Sequence, residues 1–337
     1  MLITIGITTY DRVDYLEDAI ISVLMQSVTN FRLIVSNDNP DRTIGYHNLE
    51  IPRDARIEFV NQKINMGEIA NLNWLMNQAS TPYFTWLADD DLLHPKFLEL
   101  LLAELENSPE CKAAYSNHVS GETPPSTFSE FPVSNSFQAF DSQEFLLRYS
   151  ENSLNLIGCY GLFETDLLRK IEGFKTLGKG YSPLGDTLIP IILTSYTRIH
   201  YTDFPLIFFR SHPGSMSISA KELTSFTTAE FDFIAYAKNS IDMCSQVARR
   251  IIYINFRKWF QDNHLTVAKR QAGSNVSLMV RLFLNSERTN YLLFRPYNLG
   301  AFQNILFSFR AVYLLFYTIA RICLIPNMRR RLRKFLK

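Results

Sequence analysis

Three consecutive carboxylates, Asp89-Asp90-Asp91, follow a short apolar and aromatic segment, Tyr83–Leu87. That segment is typical of a buried β-strand. Like charges at the end of a buried strand repel one another, so burying them is costly unless a cation offsets them. Oxygen ligands suit a hard divalent ion such as Mg²⁺ or Mn²⁺, which usually also binds substrate phosphates. The alternative is a solvated turn in which Asp91 caps a helix that begins near Pro95.

Two other residues with suitable chemistry follow predicted strands upstream. Tyr10 comes after Leu2–Thr9, and Asp38 comes shortly after Phe31–Val35. Taken singly, Tyr10 is more typical of a packing residue and Asp38 of an Asx-type turn. In an open parallel sheet, however, ligands bind beyond the carboxyl ends of the strands. Their common position at strand ends, shared with the three aspartates, therefore favours a ligand site.

The intervening residues predict the elements that would position these side chains. Asp14–Gln26 has apolar residues at helical spacing, and Arg56–Val60 is typical of a strand. The turn Asn65-Met66-Gly67 leads into a helix that ends at Ala79. Strands that alternate with helices predict a mostly parallel α/β sheet with right-handed crossovers.

The second half of the chain is less regular. It predicts, in order, a polar loop over 116–135, a helix over 141–149, a strand over 154–164, a helix over 166–171, a Gly-rich loop over 176–185, a helix over 188–196 and one or two strands over 200–209. Beyond Ala220 the pattern is almost entirely helical. This arrangement predicts an α/β domain followed by a helical extension.

Composition limits the class of protein. The chain has 337 residues, 47% hydrophobic and 20% charged, as expected for a globular α/β domain with an extension. The net charge of +1 is unevenly distributed, because Arg288–Lys337 carries ten Arg or Lys and no acidic residue. The basic tail favours an anionic surface as its partner. Four widely spaced cysteines and a strand-like start without a signal-peptide pattern predict a cytoplasmic protein.

Taken together, these motifs resemble those of the family 2 inverting glycosyltransferases with a GT-A fold. The matching segments are Thr8-Thr9-Tyr10-Asp11-Arg12, Ile34–Asn39, Asn65-x-Gly67 with Asn73, Leu87–Asp91, Gly185-Asp186 and Arg210-x-His212-x-x-Ser215-x-Ser217. The resemblance implies a GT-A catalytic domain over residues 1–217, with a Rossmann-like mostly parallel sheet flanked by helices. Residues 218–337 would form the C-terminal helical extension.

The resemblance also implies roles for individual residues. A nucleotide-diphosphate sugar would bind in a donor site formed by Thr8, Tyr10, Asp11, Asp38, Asn65, Asp89, Asp90 and Arg210. Tyr10 would stack on the base, Asp38 would accept a hydrogen bond from it, and Arg210 would stabilise the leaving group. Mn²⁺ or Mg²⁺ would be bound by Asp89, Asp91 and His212, with contact to a phosphate oxygen as the alternative for His212. Asp186 would be the general base that deprotonates the acceptor hydroxyl.

The sequence departs from the family pattern at three positions. Ala88 replaces the first aspartate of the acidic cluster, which leaves the ligand pair open between Asp89/Asp91 and Asp90/Asp91. Leu72 replaces a frequent arginine, so one phosphate- or base-binding cation is missing. Gly185 replaces a glutamate beside the expected base. The metal cluster and the base themselves remain.

Several functional classes are compatible with an α/β chain. We expect a metal-dependent hexosyltransferase that acts on a glycan or lipid-linked acceptor in surface polysaccharide biosynthesis. The alternative is a nucleotide-sugar-binding protein without catalysis, which the altered motifs would permit. A dinucleotide-dependent oxidoreductase is disfavoured because no Gly-x-Gly-x-x-Gly follows the first strand. Nucleic-acid binding is disfavoured because the basic residues are confined to a tail rich in apolar side chains.

The C-terminal residues predict a helix that lies on a membrane without spanning it. Leu299–Ile325 is apolar and aromatic but is interrupted by Arg310 and Arg321, whereas a spanning helix needs about 20 apolar residues. These arginines lie about 20° apart on a helical wheel, near Gln303, so they predict one polar stripe. The basic run Arg329–Lys337 follows and would bind anionic headgroups. The alternatives are packing on the protein's own domain or on a second copy in a homo-oligomer.

Overall fold

The computed structural model describes residues 1–10, 12–178, 184–212, 223–273, 275–294 and 306–315. Several predicted features lie outside these ranges. They are Asp11, part of the Gly-rich loop, Ser215, Ser217 and the basic run Arg329–Lys337.

Four parallel strands form the first half of the sheet. They are β1 (Ile3–Thr9), β2 (Phe31–Asn37), β3 (Ile57–Asn61) and β4 (Tyr83–Ala88), in the spatial order β3-β2-β1-β4. Thr9 pairs with Asn37 and Thr8 pairs with Ala88, so the carboxyl ends of β1, β2 and β4 lie at one edge. Strand patterns that alternate with helix patterns in the N-terminal sequence predicted this half of the sheet, and the prediction is confirmed.

Helices cover both faces of these strands. On one face, α1 (Val13–Leu24) and α3 (Phe97–Asn107) pack over the buried isoleucines of β1. On the other face, α2 (Glu68–Gln78) approaches β1 at Gly6, where an added Cβ would lie 3.1 Å from Leu75 Cβ. The close approach of α2 brings its amino-terminal end to the same edge as the carboxyl ends of the strands.

The second half of the sheet adds strands of both directions. They are β5 (Leu92–Leu93), β6 (Cys111–Gly121), β7 (Gln138–Phe140), β8 (Gly161–Glu164) and β9 (Arg198–Arg210). β8 joins the two halves because it runs antiparallel to both β4 and β6. β6 and β9 are parallel, and β5 pairs antiparallel with β9. This last pairing brings the end of β9 next to the turn that follows β4.

Two sequence predictions are wrong in this half. The polar loop predicted to begin at 116 is strand β6 as far as Gly121, and the strand predicted over 154–164 is restricted to Gly161–Glu164. Ser116, Asn117 and His118 give β6 a weak strand signal. Its extended backbone is instead fixed by pairing with β9 along most of its length, because tertiary context outweighs local propensity.

Three further helices lie along this half of the domain. They are α4 (Ser142–Ser150), α5 (Thr165–Lys170) and α6 (Gly185–Leu193). Asp141 caps α4 by accepting a hydrogen bond of 2.9 Å from the backbone N–H of Glu144. The helices predicted over 141–149, 166–171 and 188–196 are confirmed, each shifted by one to three residues.

The extension is helical, as predicted. It contains α7 (Leu223–Asp242), α8 (Gln246–Ala272), α9 (Val276–Phe294) and a short helix α10 over 306–315. Phe233 of α7 and Phe256 of α8 belong to the same buried cluster as the apolar residues of α4 and α6. Within the described ranges, no helix is long and apolar enough to cross a lipid bilayer.

α10 packs on α8 through one of its faces. Phe307 and Ala311 are buried, 4% and 6% exposed. Arg310 donates hydrogen bonds to the carboxylate of Asp262 at 2.8 and 2.9 Å and to Gln261 Oε1 at 2.5 Å. Arg310 thus ties α10 to α8, which differs from the expectation that it lies on an outward polar stripe. Gln303 and Arg321 lie outside the described residues.

Candidate active site

A cavity of about 550 Å³ lies at the carboxyl ends of β1, β2 and β4. It brings together seven of the residues that the sequence indicated: Thr8, Tyr10, Asp38, Asn65, Asp89, Asp90 and Asp186. Asp91 also contacts it, whereas Arg210 and His212 are absent from its described wall. Its position agrees with the rule that ligands of open α/β sheets bind beyond the strand ends.

The three aspartates after β4 are almost fully buried but differ in their partners. Both carboxylate oxygens of Asp91 accept protein hydrogen bonds, Oδ2 from the hydroxyl of Tyr160 and Oδ1 from the backbone N–H of Arg210 at 2.7 Å. Burial, followed by the charge of Asp90, raises the pKa of Asp91 above its usual range. Asp91 therefore anchors the turn after β4 to β9.

Asp90 has two nitrogen partners, a guanidinium and an imidazole. Its Oδ2 lies 2.5 Å from Arg12 Nη1 and 3.0 Å from His212 Nε2. The imidazole of His212 is supported by Tyr15, whose ring centroid lies 4.8 Å away. A carboxylate oxygen and an imidazole nitrogen directed at one another could share a hard divalent cation.

Asp89 lies on the other side of Arg12. Arg12 Nη1 is 3.1 Å from Asp89 Oδ1, so one nitrogen bridges Asp89 and Asp90. Burial raises the pKa of Asp89 to about 6, although the Arg12 charge opposes that rise. Within the described residues, no group of three His, Cys, Asp or Glu side chains is arranged to hold a metal by itself. A cation at Asp90 and His212 would thus take further ligands from a substrate.

Arg210 lies behind the turn rather than in the cavity wall. Its Nη2 donates to Asp18 Oδ2 at 2.8 Å, and its Nε donates to the backbone carbonyl of Asp90 at 2.9 Å. Its guanidinium carbon lies 4.5 Å from the centroid of the Tyr15 ring, and the residue is 6% exposed. In this arrangement Arg210 holds the Asp90 backbone against α1.

Asp38 and Asn65 organise the loop before α2. The Asp38 carboxylate accepts hydrogen bonds of 2.8 Å from the backbone N–H groups of Met66 and Gly67, and Asn65 Oδ1 accepts one of 2.9 Å from Gly67. Gly67 has φ +83°, which a side chain would strain. Across from this loop, Tyr10 is 48% exposed and presents its ring at the cavity wall.

Asp186 lies in the first turn of α6. Its Oδ1 accepts a hydrogen bond of 2.8 Å from the backbone N–H of Thr187. Burial raises the pKa of Asp186 above its usual value of 3.8. α6 can take this position because residue 158 is glycine, where an added Cβ would lie 1.8 Å from the Asp186 carbonyl oxygen.

The structure adds residues that had no role assigned from the sequence. Arg12 was part of a recognised motif, and Tyr160 supports Asp91 from the segment before β8. Glu68, directly after Asn65-x-Gly67, lines the cavity. Although its side chain is open to solvent, desolvation by the cavity walls and then the charge of Asp186 raise its pKa to about 7. The sequence feature that could have identified Glu68 is its position directly after Asn65-x-Gly67.

Comparisons with known proteins agree with this architecture. Residues 4–171 match the family described as Glycosyl transferase family 2. An uncharacterized glycosyltransferase of Haemophilus influenzae is 29% identical over 113 residues, 33% of this chain and 35% of that protein. Protein CgeD of Bacillus subtilis is 30% identical over 123 residues, 34% of this chain and 28% of that protein. The matched segments thus span about a third of these curated relatives.

Solved structures extend the likeness to the helical extension. S. aureus TarS 1-349 in complex with UDP-GlcNAc superposes with a TM-score of 0.58 at 15% identity, over 92% of each chain. S. aureus TarS superposes with a TM-score of 0.55 at 13% identity, over 90% of this chain and 54% of TarS. At these identities the likeness concerns the fold. With the family match over its N-terminal half and this GT-A-like architecture, the chain belongs to glycosyl transferase family 2.

Proposed function

We propose that the protein transfers a sugar from a nucleotide-diphosphate donor to a hydroxyl group of a glycan or lipid-linked acceptor, with inversion at the anomeric carbon. The observation that carries this proposal is the single cavity wall shared by Tyr10, Asp38, the Asp89–Asp90 pair and Asp186. A volume of about 550 Å³ is in the range of small-molecule binding sites. The complex of TarS, a fold neighbour, with UDP-GlcNAc supports a donor of this class.

The donor would lie across the strand ends. Tyr10 offers an exposed ring on which a base can stack, and the loop held by Asp38 and Asn65 supplies the adjacent wall. Each oxygen of Asp38 accepts one backbone N–H and has a second lone pair for a base N–H. Thr8 and Asp89 complete the donor side of the cavity.

We assign the cation site to Asp90 and His212, with Asp89 beside them. This choice follows from the 3.0 Å distance between Asp90 Oδ2 and His212 Nε2, and from the position of Asp91, which is 1% exposed and ties the turn to Tyr160 and Arg210. Mn²⁺ or Mg²⁺ fits the oxygen and nitrogen donor set and, when bound, would offset the diphosphate charge as the leaving group departs. Arg210 acts on the same step indirectly, because it fixes the backbone of Asp90.

Asp186 is the proposed general base. It accepts the proton of the acceptor hydroxyl, whose oxygen forms a bond to the anomeric carbon while the bond from that carbon to the diphosphate oxygen breaks. The nucleoside diphosphate leaves with the bonding electron pair. A carboxylate with a raised pKa is a stronger base than one in water, which favours this proton transfer.

A panel of nucleotide sugars tests this function. We expect divalent-cation-dependent release of a nucleoside diphosphate from at least one donor when acceptor is present, and loss of turnover in EDTA. The alternative, a non-catalytic nucleotide-sugar-binding protein, predicts calorimetric binding of the same donor without release. Undiminished turnover in EDTA would contradict the metal assignment but not the transfer activity.

We further propose that the extension docks the enzyme on the cytoplasmic face of a membrane. The outward face of α10 is apolar, with Leu306, Phe309 and Val312 exposed by 43%, 69% and 62%. The face that packs on α8 lies opposite, so α10 presents apolar side chains on both sides. The basic run Arg329–Lys337 follows in the sequence and suits anionic headgroups. Docking there would bring the cavity to lipid-linked acceptors; a second copy of the chain is the alternative partner.

A further inference from the structure

Arg12 occupies the space between the two carboxylates that face the cavity. Its Nη1 lies 3.1 Å from Asp89 Oδ1 and 2.5 Å from Asp90 Oδ2, and its side chain is 29% exposed. Asp89 and Asp90 are only 5% and 7% exposed. The guanidinium thus supplies the positive charge that a divalent cation would supply at the same carboxylates.

We propose that Arg12 is the counter-ion of the Asp89–Asp90 pair in the donor-free protein, and that it couples cation binding to donor binding. In this inference Asp89 and Asp90 release Arg12 when a divalent cation binds at Asp90 and His212, beside Asp89. The released guanidinium then binds the diphosphate of the donor. The inference rests on the proposed function and adds a donor-binding residue to it.

Electrostatics gives the direction of this coupling. A cation that arrives alone must break the hydrogen bonds of Arg12 to two carboxylates, and it takes both of these hydrogen-bond acceptors from the guanidinium. Hydrogen bonds between charged groups are among the stronger ones in proteins, so this exchange opposes binding of the cation alone. A diphosphate removes that cost, because its oxygens offer the guanidinium a matching pair of acceptors. Cation and diphosphate should therefore bind with positive coupling, each tightening the other.

The charges around the cavity favour Arg12 as the side chain that binds the diphosphate. Among the described residues of the wall, Arg12 is the only lysine or arginine. Residue 72, on α2 in the same wall, is a leucine and carries no charge. Arg210 is held by Asp18 and by the backbone of Asp90 behind the turn.

Binding of Mn²⁺ to the full chain, measured by electron paramagnetic resonance with and without UDP or GDP, tests the inference. For Arg12→Gln we expect Mn²⁺ alone to bind about tenfold more tightly than to wild type, because the competing charge is gone. The gain in Mn²⁺ affinity on adding the nucleoside diphosphate should shrink by a similar factor. Arg32→Gln is the matched control, since Arg32 pairs with Glu58 away from the cavity; it should behave as wild type.

Two outcomes contradict the inference while the proposed function stands. In the first, wild type binds Mn²⁺ together with the nucleoside diphosphate, but Arg12→Gln binds Mn²⁺ alone no more tightly than wild type does. The other is equal Mn²⁺ affinity of wild type with and without the nucleoside diphosphate, a measurement that needs no variant. Should Arg12→Gln not fold, Arg12→Met removes the same charge and is judged by the same criterion. If no protein, wild type included, binds Mn²⁺ together with UDP or GDP, the inference fails together with the cation site on which it rests, and the nucleotide-sugar panel tests the transfer activity separately.

Discussion

At the scale of single residues, the proposed chemistry depends on the environment of Asp186. The carboxylate is held at the start of α6 by the backbone N–H of Thr187, and burial raises its pKa. A neutral amide in its place keeps the size of the side chain but cannot accept a proton. Replacing Asp186 by asparagine should therefore affect catalysis and leave donor binding unchanged.

Asp186→Asn should lower kcat by about 10²–10⁴-fold, the usual loss when a positioned base is removed. Nucleotide affinity should stay near that of wild type, because the donor side of the cavity is unchanged. Steady-state kinetics and calorimetry on the same preparation measure both quantities. Asp166→Asn, an exposed change on α5, is the control. Loss of nucleotide binding with kcat retained would instead assign Asp186 to the donor site.

The same carboxylate predicts a pH dependence. Because its pKa is raised above 3.8, Asp186 holds a proton at pH values at which an ordinary aspartate is ionised. The rate should therefore rise with pH through a base ionisation that lies above 3.8, and Asp186→Asn should lack this ionisation. A profile of kcat against pH measures it. An acidic limb at the ordinary aspartate value would contradict the role given to burial.

At the scale of elements, the site depends on how closely α6 approaches the segment before β8. Gly158→Ala would place a Cβ 1.8 Å from the backbone oxygen of Asp186, which cannot move without displacing α6. We expect a loss of about 1–3 kcal/mol in the free energy of unfolding and a lower kcat. Gly45→Ala is the control, because its nearest neighbour is the flexible side chain of His47. Denaturant unfolding and kinetics that match wild type would contradict this packing.

A buried ion pair joins α7 to α8. His264 Nε2 lies 2.8 and 2.9 Å from the carboxylate oxygens of Glu230, and neither residue is exposed. Despite its burial, the interactions with Glu230 and Glu287 raise the pKa of His264 to about 9. Burial also raises the pKa of Glu230, which alone would disfavour the charged pair. The two short hydrogen bonds lead us to assign the ionised form.

This pair predicts that stability falls in alkaline solution. The folded-state pKa of His264 lies above its usual 6.5, so its contribution is fully present below pH 6.5 and is lost as the pH rises through about 9. Glu230→Gln should cost about 3 kcal/mol below pH 6.5, since it removes the nearer carboxylate partner of a buried charge and leaves only Glu287, at 3.5 Å. It should also flatten the pH dependence. Denaturant unfolding below 6.5 and near 9 measures both effects, and an unchanged slope in the variant would contradict the assignment.

At the scale of the whole molecule, the sequence predicted the features that local patterns determine. Alternating apolar residues and the polar strand ends predicted β1, β2, β4 and the cavity beyond them. The contacts of Arg210 with Asp90 and Asp91 could not be predicted, because the pairing of β5 with β9 brings together residues more than 100 positions apart. Strand β6 was missed for a similar reason, since β9 rather than its own polar sequence fixes it.

The outward face of α10 predicts how the whole protein behaves at membranes. Phe309→Glu with Val312→Glu places charges on that face and should lower partitioning onto anionic vesicles by about tenfold or more, given the free energy of burying such side chains. Val247→Glu, equally exposed on α8, is the matched control. Flotation with anionic and neutral vesicles measures the effect. Equal partitioning of all three proteins would show that α10 is not the docking surface.

The most direct test of the proposed activity is the anomeric configuration of the product, followed by nuclear magnetic resonance during turnover of a nucleotide sugar. We predict that wild type with Mn²⁺ releases the nucleoside diphosphate and forms a glycosidic bond of the opposite configuration to that of the donor, and that Asp186→Asn forms about 10²–10⁴-fold less of it. A product that retains the donor configuration, or binding of every donor without release, would contradict inverting transfer at this site.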